Sequence, residues 1–361
     1  MKFIYVSRHF NKSGFYILKK LLEEGTYIPE AVLLPLTNSH NQLDDESALE
    51  RDISVYQKEV EHFNSPSLKF FKSIKLLSEK YNVPVIYLKC IKTDEAYQTL
   101  SKYEPDLIVL GGGWPQLIPE RVIDLPKAGV INTHPSLLPK FRGTDIHRWQ
   151  VLNNVSKSGT TIHYIDKTFD TGEILGQQSV EVEMEDTPQT VFEKTAKVAG
   201  PLMIDVLKKI ETNLPNKVVG KVQEARTDRS RYFSRWRWED HDFLKINWSK
   251  KAIDIYKLIL ASTQESYKYN GPYFIYNNKK VIIRSARITP IKSKAQVGTI
   301  LSIDDKGAVV KCGDDNEAIQ LNLVQIGSIN GFPEEENTEP AKMAKELFQE
   351  LNIEEQFSVN F

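Results

Sequence analysis

The sequence has 361 residues, of which 40% are hydrophobic and 26% are charged, values that are ordinary for a globular protein. Its 47 Lys and Arg residues nearly balance 48 Asp and Glu residues, giving a formal net charge of −1. The chain therefore has no overall basic field, which disfavours a nucleic-acid partner. Cys90 and Cys312 lie far apart and in no metal-ligand spacing, which argues against a zinc site or a disulfide framework and fits a reducing cytoplasm.

Membrane and secretion signals are missing from the sequence pattern. No segment approaches the roughly 18 consecutive apolar residues of a membrane span. The N-terminal stretch MKFIYVSRHFNKSG has neither a long apolar core nor a small-residue cleavage site. We therefore expect a cytoplasmic protein without a membrane partner.

Short apolar runs alternate with helical patterns in the first part of the chain. Strands are predicted at residues 2–7, 31–35, 84–88, 106–113 and 129–134, and helices at residues 14–25 and 67–82. The polar stretch 37–66 has little periodicity and is interpreted as an insertion or a mobile excursion with some helix. The rhythm predicts an α/β fold with a doubly wound, mostly parallel, Rossmann-like sheet that binds ligands at the carboxyl ends of its strands. A G-x-G-x-x-G motif is missing, so a nicotinamide cofactor is not favoured.

The second half changes character. Two strands are predicted at residues 160–166 and 173–182 and a long helix at residues 187–212, followed by a segment of mixed Arg, Trp and acidic residues. A helix, a hairpin that turns at Asn277 and Asn278, several short strands and a closing helix come next. We predict a catalytic domain at residues 1–215, a linker at residues 216–249 and a smaller, β-rich, OB-like domain at residues 250–361.

The stretch INTHPSLLPKFRG carries the chemistry. Asn132 and His134 are two residues apart at the end of a predicted strand, so their side chains share one face. The two strands that follow could return Asp170 to His134, where a carboxylate would fix the imidazole tautomer and an Asn amide could donate to an oxyanion. Such a trio suits acyl transfer between two bound small molecules. From the residues alone, a core histidine and an ordinary turn at Asp170 remain alternatives.

INTHPSLLPKFRG, followed by SGTTIHYIDKTFDTGEIL, resembles the folate-dependent formyltransferase family. The residues that fit its motifs are Asn132, His134, Pro135, Ser136, Leu137, Leu138, Pro139, Arg142, Gly143, Gly159, Thr161, His163, Asp170, Gly172, Ile174 and Leu175. The segment INWSKKAIDIYKLILA and the strands after it are similar to the C-terminal domain of the methionyl-tRNA formyltransferase branch. The resemblance implies that Asn132, His134 and Asp170 are catalytic, that N10-formyltetrahydrofolate is the formyl donor, and that no metal takes part.

The same resemblance implies where the folate donor binds. The pteridine ring would lie against the stretch GGGWPQL and the loop around Asp170. The residues assigned to donor binding are Gly112, Gly113, Trp114, Leu117, Thr168 and Gly172. The N-terminal stretch departs from the family pattern because it lacks the early glycine of the tRNA-modifying branch.

The acceptor is inferred from the linker. The stretch YFSRWRWEDHDFLKINW resembles a segment of the sugar N-formyltransferases, in which aromatic rings could stack a nucleotide base and an arginine could pair with a pyrophosphate. Arg142, Trp236 and Tyr273 are the predicted substrate-binding residues, although packing between domains remains an alternative for the aromatic residues. We expect a dTDP- or UDP-linked dideoxy-aminosugar as acceptor, a role in O-antigen or lipopolysaccharide biosynthesis, and a homodimer. Methionyl-tRNA formyltransferase and formyltetrahydrofolate hydrolase are the alternative functions.

Overall fold

The structure, a computed structural model, describes residues 1–8, 11–35, 74–88, 90–112, 114, 117–224, 232–237, 240–262, 271–327 and 340–355. The predicted insertion at residues 37–66 and the first part of the predicted helix at residues 67–82 lie outside the described residues. The chain forms two compact units. Unit 1 comprises Met1–Gly143, Lys157–Glu181 and Phe192–Tyr232, and unit 2 comprises Thr144–Ser156, Val182–Val191 and Phe233–Phe361.

The secondary-structure elements follow in chain order within these ranges. The strands are β1 (Phe3–Val6), β2 (Ala31–Pro35), β3 (Val85–Leu88), β4 (Leu107–Leu110), β5 (Val130–His134), β6 (Arg142–Gly143), β7 (Lys157–Tyr164), β8 (Ile174–Glu181), β9 (Tyr232–Phe233), β10 (Tyr273–Tyr276), β11 (Lys279–Pro290), β12 (Ile300–Asp304), β13 (Gly307–Lys311), β14 (Glu317–Gly327) and β15 (Lys342–Met343). The helices are α1 (Lys12–Glu24), α2 (Ile74–Lys80), α3 (Asp94–Ser101), α4 (Glu120–Ile123), α5 (Ile146–Leu152), α6 (Pro188–Asn213), α7 (His241–Leu244), α8 (Ala252–Ala261) and α9 (Ala344–Glu350).

Unit 1 contains a seven-stranded sheet in the order β3-β2-β1-β4-β5-β7-β8. The first five strands pair in parallel, and β7 and β8 add two antiparallel pairings at one edge. The order reverses between β1 and β4, as in a doubly wound sheet. The prediction of a mostly parallel α/β sheet is therefore confirmed, with the two strands after β5 running antiparallel to their neighbours.

Both faces of this sheet are buried, which explains the continuous apolar runs in its strands. Phe3, Tyr5 and Val109 pack on one face with residues of α1 and α6, whereas Ile4 and Ile108 pack on the other face with residues of α3 and α4. The period of two along each strand thus divides the apolar residues between two cores.

Helix α1 shows how local signals set an element's ends. The side chain of Asn11 caps its first turn by accepting a hydrogen bond from the backbone N–H of Gly14 at 2.6 Å. Gly25 ends the helix with φ of +74°, a left-handed conformation that favours glycine, and its N–H bonds to the carbonyl of Leu21. The predicted end at Gly25 is confirmed, and the helix begins at Lys12 because Asn11 supplies the cap.

Unit 2 is an antiparallel β-rich unit covered by helices. Its sheet has the order β10-β11-β14-β13-β12, and β15 pairs with β14. Asn277 and Asn278, both with positive φ, form the two-residue turn between β10 and β11, as predicted. Among the described residues the strands form one linear sheet rather than a closed barrel. Its core includes Trp248, Phe274 and Phe348.

Two segments of the predicted catalytic domain belong to unit 2. Residues 144–156, which contain α5, belong to unit 2, where the guanidinium of Arg148 donates to the carbonyl of Ala261 at 2.7 Å. Residues 182–191 belong there as well, and the ammonium of Lys257 donates to the carbonyl of Met184 at 2.7 Å. These contacts are long-range, so no local pattern indicates them. The boundaries at residues 215 and 249 remain a proposal. None of the helices within the described ranges is both long and apolar enough to cross a bilayer.

Candidate active site

The site in unit 1 lies where β5 ends and β7 runs beside it. Asn132 and His134 are on β5, and the antiparallel register places Asn132 opposite His163 and His134 opposite Thr161. Directly opposite residues of an antiparallel pair project from the same face of the sheet. The sheet therefore brings Asn132, His134 and His163 to one face at the carboxyl end of β5.

Asp170 completes the cluster from the loop between β7 and β8. Its Oδ2 lies 3.6 Å from Nδ1 of His134 and accepts a hydrogen bond from the backbone N–H of Gly143 at 3.0 Å. Its Oδ1 lies 3.6 Å from Nε2 of His163. The backbone of Asp170 has φ of +56°, a conformation that costs free energy for a residue with a side chain and that is typical of functional sites. The structure thus brings together the three residues predicted as catalytic.

His134 has an acceptor at each ring nitrogen. Its Nε2 is 2.7 Å from the carbonyl oxygen of Phe141, and its Nδ1 faces the carboxylate of Asp170. The side chain is only 3% exposed, so both oxygen atoms approach the ring away from bulk water.

His163 is a member of the cluster that was not among the predicted site residues. Its Nδ1 donates to the carbonyl of Tyr164 at 2.7 Å, which leaves Nε2 as an acceptor 3.3 Å from Nδ2 of Asn132. Burial, together with the positive charge of His134, lowers the pKa of His163 to about 4, although Asp170 opposes the shift. The neutral ring accepts one amide N–H of Asn132 and so fixes the amide orientation. The alternation of Thr161 and His163 along β7 was the signal that could have indicated this residue.

The loop after β5 is held by buried hydrogen bonds. The hydroxyl of Thr161 donates to the carbonyl of Ser136 at 2.6 Å and accepts from the backbone N–H of Leu138 at 3.1 Å. Ser136, two residues after His134, is 0% exposed and donates to the carbonyl of Lys140 at 2.7 Å. This hydroxyl is therefore a structural group and not a nucleophile for covalent acyl transfer.

The predicted donor-binding residues lie on loops of unit 1. Trp114 has its indole Nε1 buried with no hydrogen-bond partner among the described residues, an N–H that a polar ring edge could accept. A Cβ at Gly172 would lie 2.0 Å from the carbonyl oxygen of Tyr164, so only glycine fits there. Thr168 bonds to Asp166 in the same loop. Gly112 has φ of +99°, Leu117 is exposed, and Gly113 lies outside the described residues.

Two exposed aromatic residues beside the cluster were also not predicted. Phe169, immediately before Asp170, is 54% exposed, and its ring centroid is 6.0 Å from that of Tyr232, which is 38% exposed. Large apolar side chains with accessible faces can stack a planar ligand. Phe169 lies among polar residues without periodicity, so no pattern distinguished it from loop residues, whereas Tyr232 begins the aromatic stretch YFSRWRWEDHDFLKINW.

The three predicted substrate-binding side chains are placed differently. Arg142 is 4% exposed in unit 1 and bonds to the side chain of Gln223, so its guanidinium is engaged inside the unit. Trp236 is 4% exposed in unit 2, with its ring 4.9 Å from that of Trp149. Tyr273 is 7% exposed in unit 2 beneath the ammonium of Lys280. Base stacking needs an accessible ring face, so this placement favours packing for both aromatic residues. Trp238 lies outside the described residues.

Comparison with known proteins identifies the family of this chain. The formyl transferase family model matches residues 51–207, and the model of the formyl transferase C-terminal domain matches residues 240–331. The methionyl-tRNA formyltransferase of Geobacillus sp. (strain WCH70) is 30% identical over 254 residues, which are 70% of this chain and 75% of that protein. The bifunctional polymyxin resistance protein ArnA of Wigglesworthia glossinidia brevipalpis is 32% identical over 235 residues. The match covers 65% of this chain and 34% of ArnA, so the chain spans about a third of that relative's length.

Among solved structures, the N-formyltransferase from Helicobacter canadensis in complex with folinic acid and dTDP-3-aminofucose has the same fold. Its TM-score is 0.58 at 20% sequence identity, and the alignment covers 88% of this chain and 98% of that one. Two family models match in the order N-terminal and then C-terminal domain, and a relative at 30% identity is covered over 75% of its length. The chain therefore belongs to the formyltransferase family of enzymes.

Proposed function

We propose that the protein transfers a formyl group from N10-formyltetrahydrofolate to the amine of a nucleotide-linked aminosugar. The observation that carries the proposal is the convergence of Asn132, His134 and Asp170 at the carboxyl end of β5. Oδ2 of Asp170 lies 3.6 Å from Nδ1 of His134. The cluster offers an oxyanion donor and a cation–carboxylate pair. The hydroxyls of Ser136 and Thr161 donate to backbone carbonyls, so we assign the attacking nucleophile to the second substrate.

The reaction follows from these groups. The neutral substrate amine attacks the formyl carbon, and the carbonyl oxygen becomes an oxyanion. One N–H of Asn132 bonds to His163, so the other N–H of the same amide is available to the oxyanion, which the charge of His134 also stabilises. Asp170 holds the imidazolium in place. The amine loses its proton, the bond between the formyl carbon and N10 breaks, and N10 takes up a proton as tetrahydrofolate leaves.

The residues around the cluster suit a folate donor. Trp114 presents a buried N–H that is unpartnered among the described residues, and Gly172 lets backbone come close to the site. The exposed rings of Phe169 and Tyr232 offer apolar faces to a planar ligand. We assign Gly112, Trp114, Thr168 and Gly172 to donor binding on this basis.

Support for a sugar acceptor comes from the structural relative, which was crystallised with folinic acid and dTDP-3-aminofucose and is covered over 98% of its length. The net charge of −1 also offers no basic field for a tRNA. Methionyl-tRNA formyltransferase remains the second candidate because a relative of that function is 30% identical over most of its length. We further propose that the protein works in the cytoplasm as a homodimer and supplies a precursor for surface polysaccharide synthesis.

The test incubates the protein with N10-formyltetrahydrofolate and separate acceptors: dTDP- and UDP-linked 3-amino and 4-amino sugars, charged initiator tRNA, and no acceptor. Release of tetrahydrofolate and a product heavier by one CO unit on one nucleotide sugar, both lost in His134→Ala, would support the proposal. Formylation of the tRNA alone would overturn the acceptor and keep the chemistry. Release of tetrahydrofolate without any acceptor would identify a hydrolase.

A further inference from the structure

Gln223 joins two carbonyls of the loop that carries Asp170. Its Nε2 donates to the carbonyl oxygen of Asp170 at 3.1 Å and to that of Gly172 at 2.7 Å. Gln223 follows α6 in the chain, and an antiparallel bridge between Ile174 and Lys221, with both N–H···O distances at 2.8 Å, sets it beside the loop. A single side-chain amide therefore satisfies both backbone acceptors that flank the turn.

Arg142 determines which way this amide faces. Its Nε and Nη2 donate to Oε1 of Gln223 at 3.3 and 2.7 Å. The reverse orientation would place the amide NH2 against a guanidinium and its oxygen against two carbonyls, so only one orientation is favourable. Arg142 is buried within the family motif that follows His134, and its charge thus acts on the Asp170 loop through Gln223.

The loop needs such support because its backbone is strained. Asp170 has φ of +56°, a left-handed conformation that costs free energy for a residue with a side chain. The strain is useful since it directs the carboxylate between the rings of His134 and His163. Without an external donor, the two carbonyls of the turn would lose their hydrogen bonds and the turn could relax.

We propose that Gln223 is a positioning residue for the transfer reaction, holding Asp170 between the two histidines, and that Arg142 acts through Gln223 rather than on the substrate. The role in catalysis rests on the proposed function, whereas the role in placing Asp170 does not. A displacement of about 1 Å at a catalytic group can cost on the order of 100-fold in rate. We therefore expect at least a tenfold loss of kcat when the amide is removed.

The experiment compares Gln223→Met, which keeps the shape and removes the donors, with Gln223→Glu, which keeps the partner of Arg142 and turns the donor into an acceptor. Both variants are expected to lose kcat at least tenfold (on the order of 100-fold at most) while the KM for the acceptor changes less than twofold. Gln178→Met is the matched control, because Gln178 is exposed and its side-chain amide donates to the neighbouring carbonyl of Ser179. This control should retain kcat.

The role of Arg142 is tested by a double-mutant cycle. If Arg142 acts through Gln223, then Arg142→Met, Gln223→Met and the double variant lose kcat by the same factor within about twofold. A double variant whose loss equals the product of the two single losses would overturn the relay. A kcat within twofold of wild type in Gln223→Met would overturn the positioning role.

A second readout does not depend on turnover. In protein labelled with 15N-histidine, the ring signals of His134 and His163 should shift in Gln223→Met and stay unchanged in Gln178→Met, because only the former releases Asp170. If the signals shift in Gln223→Met but the wild-type protein is inactive on every acceptor, the result would support the placement of Asp170 and refute the proposed function. Unchanged signals in both variants would refute the placement, whatever the activity.

Discussion

Lowering the pH from 7 to 5 should destabilise the folded protein through one buried ring, His163. Burial holds its pKa at about 4 in the folded state, below the ordinary value of 6.5. The unfolded chain takes up a proton as the pH falls below 6.5, whereas the folded chain stays neutral at this site until about pH 4. The stabilisation is therefore complete above pH 6.5 and is lost as the pH falls through that window. The difference between the two pKa values lowers the free energy of unfolding by about 3 kcal/mol in total as the pH falls through both pKa values. Between pH 7 and pH 5 the loss is about 2 kcal/mol.

The assay is urea unfolding of wild type and His163→Gln at both pH values. Glutamine can present an amide atom near the position of Nε2 and does not titrate, so the variant lacks the protonation of residue 163. We expect the wild type to lose about 2 kcal/mol more unfolding free energy than the variant between pH 7 and pH 5. Equal losses in the two proteins would refute a neutral, buried His163.

The tautomer of the ring can be measured directly. The hydrogen bond from Nδ1 to the carbonyl of Tyr164 and the approach of Asn132 to Nε2 require the proton on Nδ1. In 15N-histidine spectra, His163 should show this tautomer unchanged from pH 8 to pH 5. A proton on Nε2, or a midpoint near 6.5, would contradict the proposed orientation of the Asn132 amide.

Three substitutions test the rest of the site by release of tetrahydrofolate. Asp170→Asn keeps an acceptor for the N–H of Gly143 but removes the negative charge between the two histidine rings, so kcat should fall about 100-fold or more. A loss under threefold would refute a role of this charge in the reaction. Gly172→Ala should lower kcat by at least about tenfold, because the added Cβ would clash with the carbonyl oxygen of Tyr164. The control Gly25→Ala has open space around its Cβ and should lower the free energy of unfolding by about 1 kcal/mol without loss of activity. Phe169→Ala should raise the KM for a substrate several-fold with kcat retained, and an unchanged KM for both substrates would exclude a stacking role.

Most of the fold was predictable because its signals are local. The buried strands read as continuous apolar runs, Gly25 ends α1 in a left-handed conformation, and Asn277 with Asn278 has the φ preference that a two-residue hairpin turn requires. Element types and order follow from such patterns. The two chain segments that join unit 2 could not be predicted, because their membership depends on contacts with residues far away in sequence.

The candidate site likewise contains some residues that the sequence predicts and others that only the structure reveals. Asn132 and His134 share a strand face by their spacing alone, and the family motifs connect them to Asp170. His163 fits the family motif, but its place beside Asn132 emerges only from the register of β5 and β7. The place of Gln223 emerges only from the bridge that returns the chain after α6. Arg142, Trp236 and Tyr273 are buried, a placement that only the tertiary structure reveals and that favours the packing alternative for the two aromatic residues.

The sequence by itself determined which chemistry the chain can carry: an amide, an imidazole and a carboxylate in the motif order of a formyltransferase. It did so because side-chain types and short spacings are properties of the local chain. Tertiary structure alone decided which groups orient that trio, since the partners of Asp170 lie before and after it in the chain. Hydrogen-bond partners, burial and the pKa of His163 depend on distances across the fold, and those distances exist only once the strands have paired.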